Sequence, residues 1–422
     1  MVSPSLIHIT LPTKLQGTID LPTSKSISAR ALTISALTDG SQPRGLSDCD
    51  DTRVLQAAIT HRPATIDIGA AGTAMRFGTA LFACTPGEHV LTGSQRMLER
   101  PIGLLVDALR NLGADISYEG TEGFPPLRVK GHPLKGGHTT IPASVSSQYI
   151  SALLMIAPTM TEGLTLALEG EIASRPYIDM TLTIMKAYGA QADWTADGQA
   201  IRVEAGGYRP TEWTVEPDWS AASYWYEMMA LSSDAEACIC LKGLRAESLQ
   251  GDSCISQIFN KLGVKTTFTD EGALLTKTDA VEHLEFDFTH CPDLAQTVVA
   301  TCAMMGVTFH FDGLKSLKIK ETDRIVALQT ELHKLGVDVA ADNESMTLTP
   351  VSAALFKNKI SDKAIQASSP IATYADHRMA MAFAPCAFRF PGLAIAHPEV
   401  VSKSYPAFWH DLERVGATIK KA

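Results

Sequence analysis

The segment Leu105-Val106-Asp107-Ala108-Leu109-Arg110-Asn111-Leu112-Gly113-Ala114 contains the pattern that decides the fold. Apolar side chains at helical spacing are followed by a glycine, which is typical of a helix that ends in a left-handed cap before a strand. The glycines lie roughly 75 residues apart, too far for a solenoid repeat but suitable for a compact α/β unit. Since many helices end in Leu-Gly, the inference rests on this spacing. With a degenerate copy near Gly40, the pattern predicts about six units in two groups of three. The later copies end at Gly189, Gly263, Gly336 and Gly416.

The bulk composition excludes several classes of protein. A chain of 422 residues suits two domains, and 45% of its residues are apolar. With 36 basic and 46 acidic residues the net charge is -10, so we expect neither nucleic acid nor a membrane as a partner. Residues 1–17 alternate like a strand and lack the features of a signal peptide, and no apolar run is long enough to span a bilayer. We therefore expect a cytoplasmic protein.

The eight cysteines predict neither a disulfide nor a metal site. They are scattered through apolar segments, as at Cys84 and Cys302, without a CxxC pair or a Cys/His ligand pattern. Cys238 and Cys240 would share one face of a strand, but no further ligands accompany them. We expect buried thiols.

The densest charged run is Lys320-Glu321-Thr322-Asp323-Arg324, which precedes the apolar residues 325–328. If this run opens a helix, Lys320 and Arg324 share a face and Glu321 lies beside them. One surface would then offer anion binding next to a carboxylate. The alternative is a solvated first turn with intrahelical ion pairs, and a single run of this kind favours that alternative.

Other cations also stand at turns or in the first turns of apolar helices. Gly72 would let a ligand approach the backbone, with Thr73 as the helix cap, and residues 146–148 offer two hydroxyls and an amide. Singly, each is an ordinary cap or a solvated charge, but together, in an acidic protein, they favour a small polyanionic ligand. The absence of GxxxxGK[ST], and of GxGxxG after a strand, disfavours a P-loop kinase and a Rossmann dehydrogenase, and we predict no cofactor. With Lys320 and Arg324 of the charged run, the full set of cations is Lys25, Arg30, Arg76, Arg100, Lys320, Arg324, Arg378 and Lys403.

A set of short motifs resembles the 5-enolpyruvylshikimate-3-phosphate (EPSP) synthase family, in the family's order and over nearly the whole chain. The motifs are SKSISAR (24–30), AGTAMR (71–76), ERPIG (99–103), SSQ (146–148), SRPYID (174–179), PDLAQT (292–297), KETDR (320–324) and DHRMAM (376–381). The resemblance implies an α/β fold of two similar globules, each of three α/β repeat units in an inside-out α/β barrel, joined by a double-crossover hinge. It places the first globule at residues 23–216 and the second at residues 1–22 and 217–422.

The resemblance also implies roles for individual residues. Asp293, Glu321 and Lys25 match the catalytic positions. The first globule would mainly bind shikimate 3-phosphate, and the second would supply acid/base residues and residues that bind phosphoenolpyruvate. The positions that match the shikimate 3-phosphate site are Lys25, Ser26, Arg30, Ser146, Ser147, Gln148, Ser174, Tyr177, Asp293, Ser316 and Lys320. Those that match the phosphoenolpyruvate site are Lys25, Gly72, Arg100, Gln148, Arg324, Arg378 and Lys403. Arg76 is assigned no ligand contact, no metal is implied, and family precedent favours a monomer.

The implied reaction transfers the enolpyruvyl group of phosphoenolpyruvate to the 5-hydroxyl of shikimate 3-phosphate and releases phosphate, a step of chorismate and aromatic amino-acid biosynthesis. Asp293 is the candidate base for the hydroxyl, and Glu321 is the candidate for proton transfer at C3. Lys25 would assist either step. Glyphosate, which occupies the phosphoenolpyruvate site in this family, is expected to inhibit because Gly72 leaves its approach open.

Two alternatives remain. A related enolpyruvyl transferase acts on UDP-N-acetylglucosamine, but it carries a loop cysteine in a Gly-rich setting that nothing here resembles. The other is a non-catalytic relative that binds phosphometabolites, motivated by Ala29 and Ala70 where the family usually has asparagine. Ser316, also at a common asparagine position, keeps a short polar side chain.

Overall fold

A computed structural model describes residues 5–144, 146–361 and 369–421 of the chain. It divides into two compact units. We call Thr23–Glu216 the inserted unit, and Met1–Pro22 with Pro217–Ala422 the flanking unit. The chain therefore passes from one unit to the other twice. No helix in the described ranges is both long and apolar enough to cross a membrane.

The secondary-structure elements are numbered in chain order. The strands are β1 (Leu6–Thr10), β2 (Gln16–Ile19), β3 (Thr65–Asp67), β4 (Gly87–Thr92), β5 (Asp115–Tyr118), β6 (Leu127–Gly131), β7 (Gly137–Pro142), β8 (Leu164–Glu169), β9 (Ala192–Trp194), β10 (Ala200–Val203), β11 (Cys238–Lys242), β12 (Leu262–Phe268), β13 (Gly272–Ala280), β14 (His283–Asp287), β15 (Thr308–Asp312), β16 (Ala340–Ala341), β17 (Met346–Leu348), β18 (Leu393–Ala396) and β19 (Thr418–Lys421). The helices are α1 (Lys25–Ser35), α2 (Asp50–His61), α3 (Gly72–Cys84), α4 (Gln95–Leu98), α5 (Gly103–Asn111), α6 (Ser147–Ile156), α7 (Arg175–Ala187), α8 (Trp219–Leu231), α9 (Ile255–Lys261), α10 (Ala295–Met305), α11 (Arg324–Lys334), α12 (Pro350–Ser361), α13 (His377–Phe383) and α14 (Phe408–Arg414).

Four sheets repeat one topology. Their strand orders are β3-β4-β6-β5, β7-β8-β10-β9, β2-β11-β13-β12 and β14-β15-β17-β16. In each sheet the first pair is parallel and the next two pairs are antiparallel. A parallel pair needs a crossover connection, which α3, α6 and α10 supply in three of the sheets. In the fourth, the crossover between β2 and β11 contains the entire inserted unit as well as α8.

The five predicted helix–glycine–strand copies are confirmed. After α5, α7, α9, α11 and α14, the glycine has a φ of 99°, 86°, 86°, 81° and 98°, a left-handed conformation that residues with a Cβ adopt at a cost. The remaining units are smaller. One is the three-stranded sheet β18-β1-β19, and the other, around Gly40, contains α1, α2 and a single bridge between Arg44 and Thr214.

Three helices form the centre of each unit. Helices α1, α3 and α6 pack against one another in the inserted unit, as do α8, α10 and α13 in the flanking unit. They are buried almost all round; in α10, for example, every residue from Ala295 to Met304 is buried. The strands alternate buried and more exposed residues, so one face of each sheet covers the helices and the other faces solvent. The predicted fold class, with helices inside and sheets outside, is confirmed.

One buried side chain in this core has an expected effect on stability. Glu227 on α8 is 0% exposed, neither carboxylate oxygen has a hydrogen-bond partner, and burial raises its pKa well above the usual range. In the unfolded chain, Glu227 ionises above its usual pKa of about 4.3, whereas burial in the core opposes ionisation. The free energy of unfolding therefore decreases as pH rises from that value towards the folded pKa. Glu227→Met should raise the free energy of unfolding by roughly 1–3 kcal/mol at pH 8, and by less at pH 5.

Thermal and denaturant unfolding at the two pH values would measure this effect. Glu227→Gln removes the ionisation, so the pH dependence due to this residue should disappear. Because the amide is still polar, the gain in free energy of unfolding at pH 5 should be smaller than for Glu227→Met. Glu271→Gln, on an exposed turn, should change neither value. A Glu227→Met protein that is no more stable than the original at pH 8 would contradict the prediction.

Candidate active site

Asp293 lies in the 3-10 turn Pro292–Leu294 that leads into α10. Its side chain is 21% exposed, and Oδ1 accepts a hydrogen bond from Arg324 Nη1 at 3.1 Å. Arg378 Nη2 lies 2.9 Å from Oδ2, and Lys320 Nζ lies 3.6 Å from Oδ1. Three cations therefore hold one carboxylate that solvent still reaches.

Glu321 is the second acid of this cluster. Its Oε2 accepts a hydrogen bond from Arg324 Nη2 at 3.1 Å, and its Oε1 lies 2.7 Å from Lys403 Nζ. Lys403 ends the 3-10 turn Pro398–Lys403 and is largely buried. Arg324 therefore joins both candidate acids through different nitrogens of one guanidinium.

Asp376 completes the ion-pair network. It is fully buried, caps α13 by accepting a hydrogen bond from the Arg378 amide at 2.9 Å, and accepts another from Arg324 Nε at 2.7 Å. Arg324 Nε thus binds Asp376, while Nη1 binds Asp293 and Nη2 binds Glu321, so three carboxylates fix one guanidinium. In the sequence, Asp376 belongs to the motif at residues 376–381, but no role was predicted for it.

The structure corrects one sequence-based inference. Helix α11 begins at Arg324, with Asp323 as its N-cap, whose side chain accepts a hydrogen bond from Val326 N at 3.3 Å. Lys320 and Glu321 precede the helix, so the helical-face argument for them was wrong. Aspartate is a strong N-cap because its carboxylate satisfies a free amide of the first turn, and this sets the helix start. The pairing of Glu321 with Arg324 arises from the loop instead.

The cluster as a whole favours anions. Lys320, Arg324, Arg378 and Lys403 stand against Asp293, Glu321 and Asp376, a formal charge of +1 with all groups ionised. Burial lowers the pKa of Lys320. Burying several cations together is unfavourable unless negative charge compensates them, so a bound anion would stabilise this arrangement.

Two residues that the sequence analysis did not single out support Arg378. Its Nη1 lies 3.4 Å from Tyr224 Oη, and its Nη2 lies 3.5 Å from Ser220 Oγ, both on α8. Ser220 in turn donates a hydrogen bond to the buried Asp252. Burial, together with the charge of Asp293, raises the pKa of Asp252 to about 6. No sequence signal marks these contacts, since the residues lie on separate elements.

The inserted unit carries a second group of predicted residues. Lys25 is the first residue of α1, and its Nζ lies 3.2 Å from the carboxylate of Asp51 on α2. The Lys25 side chain is 16% exposed, so it can still reach a ligand. Asp51 was not predicted as a site residue, because in the sequence it resembles an ordinary acid in the first turn of a helix.

Arg30 is more enclosed than the sequence suggested. It is 2% exposed, and its guanidinium donates to Thr181 Oγ1 at 2.7 Å, Ser151 Oγ at 3.1 Å and the Tyr177 carbonyl at 3.2 Å. It also donates to the Ser26 carbonyl at 2.9 Å. Burial lowers its pKa to about 10, which leaves it charged at neutral pH. In the structure, Arg30 therefore links α1, α6 and α7, and its contact with a substrate stays a prediction.

Two guanidinium groups converge at the start of α3. A Cβ placed on Gly72 would lie 2.8 Å from Arg100 Nη1 and still closer to Arg76 Nη1. Arg76 is 5% exposed, and its Nε and Nη1 have no hydrogen-bond partner. A buried guanidinium with unsatisfied donors beside a second cation and a helix N-terminus is well suited to an anion. No ligand contact was predicted for Arg76.

The neighbouring helix contributes an amide. Gln148 Nε2 donates a hydrogen bond to Thr73 Oγ1 at 3.2 Å, which joins the first turns of α6 and α3. The predicted cap role of Thr73 was wrong, because α3 begins at Gly72 after Ala71 and has no side-chain cap. The Thr73 hydroxyl accepts from Gln148 instead of from its own helix.

The remaining predicted residues lie at the ends of elements. Ser146 caps α6 by accepting a hydrogen bond from the Gln148 amide at 3.3 Å, and Ser147 is the first residue of that helix. Ser174 precedes α7 with a left-handed φ of 54°. Ser316 lies in the 3-10 turn Lys315–Ile319 of the flanking unit. In the described part of the chain, no group of His, Cys, Asp and Glu side chains is arranged to hold a metal ion.

The repeated fold and its two charged clusters define an α/β protein that presents cations and acids at the starts of buried helices. Comparison with known proteins identifies the family. Residues 51–412 match the EPSP synthase (3-phosphoshikimate 1-carboxyvinyltransferase) family, and the chain belongs to it.

Individual relatives agree with this assignment. The chain is 52% identical over 415 residues to the 3-phosphoshikimate 1-carboxyvinyltransferase of Bacteroides fragilis, with 98% of each chain covered. It is 34% identical to the enzyme of the same name from Citrobacter koseri, over 95% of this chain and 97% of that one. Among solved structures, EPSP synthase from Acinetobacter baumannii aligns with a TM-score of 0.76 and 20% identity, over 99% of this chain and 100% of that one. At that identity, the last comparison supports the fold.

Proposed function

We propose that this protein transfers the enolpyruvyl group of phosphoenolpyruvate to the 5-hydroxyl of shikimate 3-phosphate, as a step of aromatic amino-acid biosynthesis. The observation that carries the proposal is the cluster in which Arg324 joins the acids Asp293 and Glu321 beside Arg378 and Lys403. Cations for two anionic substrates and acids for two proton transfers stand together there. Family membership and the 52% identical relative support the same reaction.

The addition step requires two proton transfers, and the elimination step requires one. The substrate 5-hydroxyl oxygen bonds to C2 of phosphoenolpyruvate, the hydroxyl proton leaves, and C3 gains a proton, which gives a tetrahedral phosphate ketal. Loss of a C3 proton together with phosphate then gives the enolpyruvyl ether. We assign Asp293 as the base for the hydroxyl and Glu321 as the group that moves the proton at C3. Lys25 assists either step.

Glu321 lies between two cations, so its role as a proton donor needs a physical reason. Glu321 contacts Arg324 and Lys403, which favours the ionised form in the free protein. Bound phosphate and carboxylate groups supply negative charge beside the same cations. That charge offsets the attraction for the Glu321 carboxylate and makes a proton on it easier to hold.

We divide the binding residues as follows, with the inserted unit mainly binding shikimate 3-phosphate. That substrate is held by Lys25, Ser26, Arg30, Ser146, Ser147, Gln148, Ser174, Tyr177, Asp293, Ser316 and Lys320. Phosphoenolpyruvate is held by Lys25, Gly72, Arg100, Gln148, Arg324, Arg378 and Lys403. The unpartnered donors of Arg76 support its addition to the phosphoenolpyruvate group.

The deciding experiment is phosphate release by the purified protein. Release should require shikimate 3-phosphate and phosphoenolpyruvate together, and mass spectrometry should detect the enolpyruvyl ether. Each substrate alone, and UDP-N-acetylglucosamine with phosphoenolpyruvate, are the controls. Binding of both substrates without release would support a non-catalytic relative and contradict the proposal.

Glyphosate tests the assignment of the Gly72 pocket. It should inhibit in competition with phosphoenolpyruvate. Gly72→Ala should raise the KM for phosphoenolpyruvate by about tenfold or more and weaken glyphosate, because the added methyl group meets the Arg76 and Arg100 guanidinium groups. Steady-state inhibition kinetics on both proteins would measure this.

The same helix offers a matched control for this substitution. A Cβ on Gly78 would meet Leu91 Cδ2 at 3.5 Å, an ordinary contact, so Gly78→Ala should leave both constants unchanged. Glyphosate inhibition that does not compete with phosphoenolpyruvate would contradict the pocket assignment.

We also propose that the protein is a cytoplasmic monomer. All eight cysteines are free, as expected in a reducing compartment. Light scattering across a concentration series would test the monomer, and fractionation of the source cells would test the location.

A further inference from the structure

A buried glutamate outside the proposed active site holds the segment that leads to Asp376 and Arg378. Glu331 lies on α11, two turns after Arg324, and is 0% exposed. Its Oε1 accepts a hydrogen bond from Tyr374 Oη at 2.6 Å, and its Oε2 accepts one from the Ala372 amide at 3.0 Å. One carboxylate thus binds a backbone amide and a side chain of the same segment.

Lys334 completes this contact. Its Nζ donates to both oxygens of Glu331, at 2.9 Å and 2.7 Å, and to the Pro370 carbonyl at 3.2 Å. Residues 370–374 are therefore fixed on α11 at three places. We call Glu331, Lys334 and their contacts with residues 370–374 the latch.

The latch ends where the backbone is strained. Tyr374 and Ala375 have φ values of 55° and 54°, two consecutive left-handed residues that both carry a Cβ. This conformation is disfavoured for such residues and persists when surrounding contacts enforce it. The next residue is Asp376, which binds Arg324 and caps the helix that carries Arg378. The strained turn therefore lies between the latch and two groups of the charged cluster.

We propose that Glu331 is a positioning residue for phosphoenolpyruvate: it fixes the left-handed turn at Tyr374 and Ala375 and thereby sets the places of Asp376, Arg324 and Arg378. This inference rests on the proposed function, because it assigns Arg324 and Arg378 to that substrate. Strained backbone held by a buried network next to charged side chains is the expected signature of preorganisation. If Glu331 stabilised α11 alone, its ion pair with Lys334 would be sufficient, and the contacts with Ala372 and Tyr374 would not be needed.

The test is Glu331→Gln, which keeps the shape of the side chain but removes its charge and one acceptor. The KM for phosphoenolpyruvate should rise by about tenfold or more, as expected for displaced binding groups, while the KM for shikimate 3-phosphate stays within about twofold. Ala375→Gly in the same protein should return the phosphoenolpyruvate KM most of the way, because glycine adopts the left-handed turn without the latch.

Two controls separate positioning from general destabilisation. Val264→Ala, in the buried part of β12, should lower the melting temperature about as much as Glu331→Gln does, without changing the latch. It should leave both KM values unchanged. Glu344→Gln removes an exposed carboxylate of the same unit and should also leave both unchanged. An unchanged phosphoenolpyruvate KM in Glu331→Gln, an equal rise in Val264→Ala, or no rescue by Ala375→Gly would overturn the inference. Failure of the unmodified protein to release phosphate would instead count against the proposed function.

Discussion

Asp293→Asn should lower kcat for phosphate release by about 10²–10⁴-fold, the usual contribution of a positioned general base. The amide cannot accept the proton of the 5-hydroxyl, and its single oxygen can accept a hydrogen bond from Arg324 or from Arg378 but cannot replace both carboxylate oxygens. The substitution also raises the formal charge of the cluster from +1 to +2. The KM for phosphoenolpyruvate should therefore stay the same or decrease, so kcat and KM change independently.

Steady-state kinetics with both substrates varied would measure this separation. Asp312→Asn is a suitable control, because Asp312 is an exposed carboxylate of the same unit whose partner is His310 at 3.4 Å. It should leave kcat unchanged. Glu321→Gln should also lower kcat, and in deuterated water it should reduce deuterium incorporation at C3 of recovered phosphoenolpyruvate. If Asp293→Asn kept its kcat, the assignment of the base would be wrong.

Arg324→Met should reduce the free energy of unfolding of the flanking unit by roughly 3–5 kcal/mol, the range for breaking a buried ion pair from one side. The Arg324 side chain is 2% exposed and lies 2.7 Å from Asp376, which is 0% exposed. It also holds Asp293 and Glu321, both at 3.1 Å. Without Arg324, the three carboxylates lose the positive charge that compensates them. Asp376 is fully buried, so water cannot replace the lost contact there.

Denaturant unfolding followed by tryptophan fluorescence would measure this loss, since the buried Trp219 and Trp225 belong to the flanking unit. Arg324→Lys should lie between the two proteins, because one ammonium keeps the charge but cannot reach three carboxylates in different directions. Lys315→Ala, at an exposed surface pair with Glu344, should show no measurable loss. Equal stability of Arg324→Met and the unmodified protein would show that the network does not stabilise the unit.

The places where prediction and structure differ concern the ends of helices. The run at residues 320–324 was expected to open a helix, but Asp323 caps it and the helix begins one residue later. Thr73 was expected to cap α3, but its hydroxyl is used by Gln148 on another helix. Both errors have one cause. A short polar side chain near a helix start can serve its own backbone or a distant partner, and only the packing of neighbouring elements decides which.

The sequence by itself determined the repeated α/β units and the set of charged residues. Helix periodicity, the left-handed glycine at Gly113 and the alternation of strands depend on interactions among residues close in the chain, so they are visible in a linear pattern. Only the tertiary structure decided which charges pair. Arg30 meets Ser151, 121 residues away, because the central helices α1 and α6 pack against each other. Arg324 meets Asp376, 52 residues away, because the start of α11 lies beside the start of the central helix α13. Such contacts depend on the complementarity of the whole core, which no local segment contains.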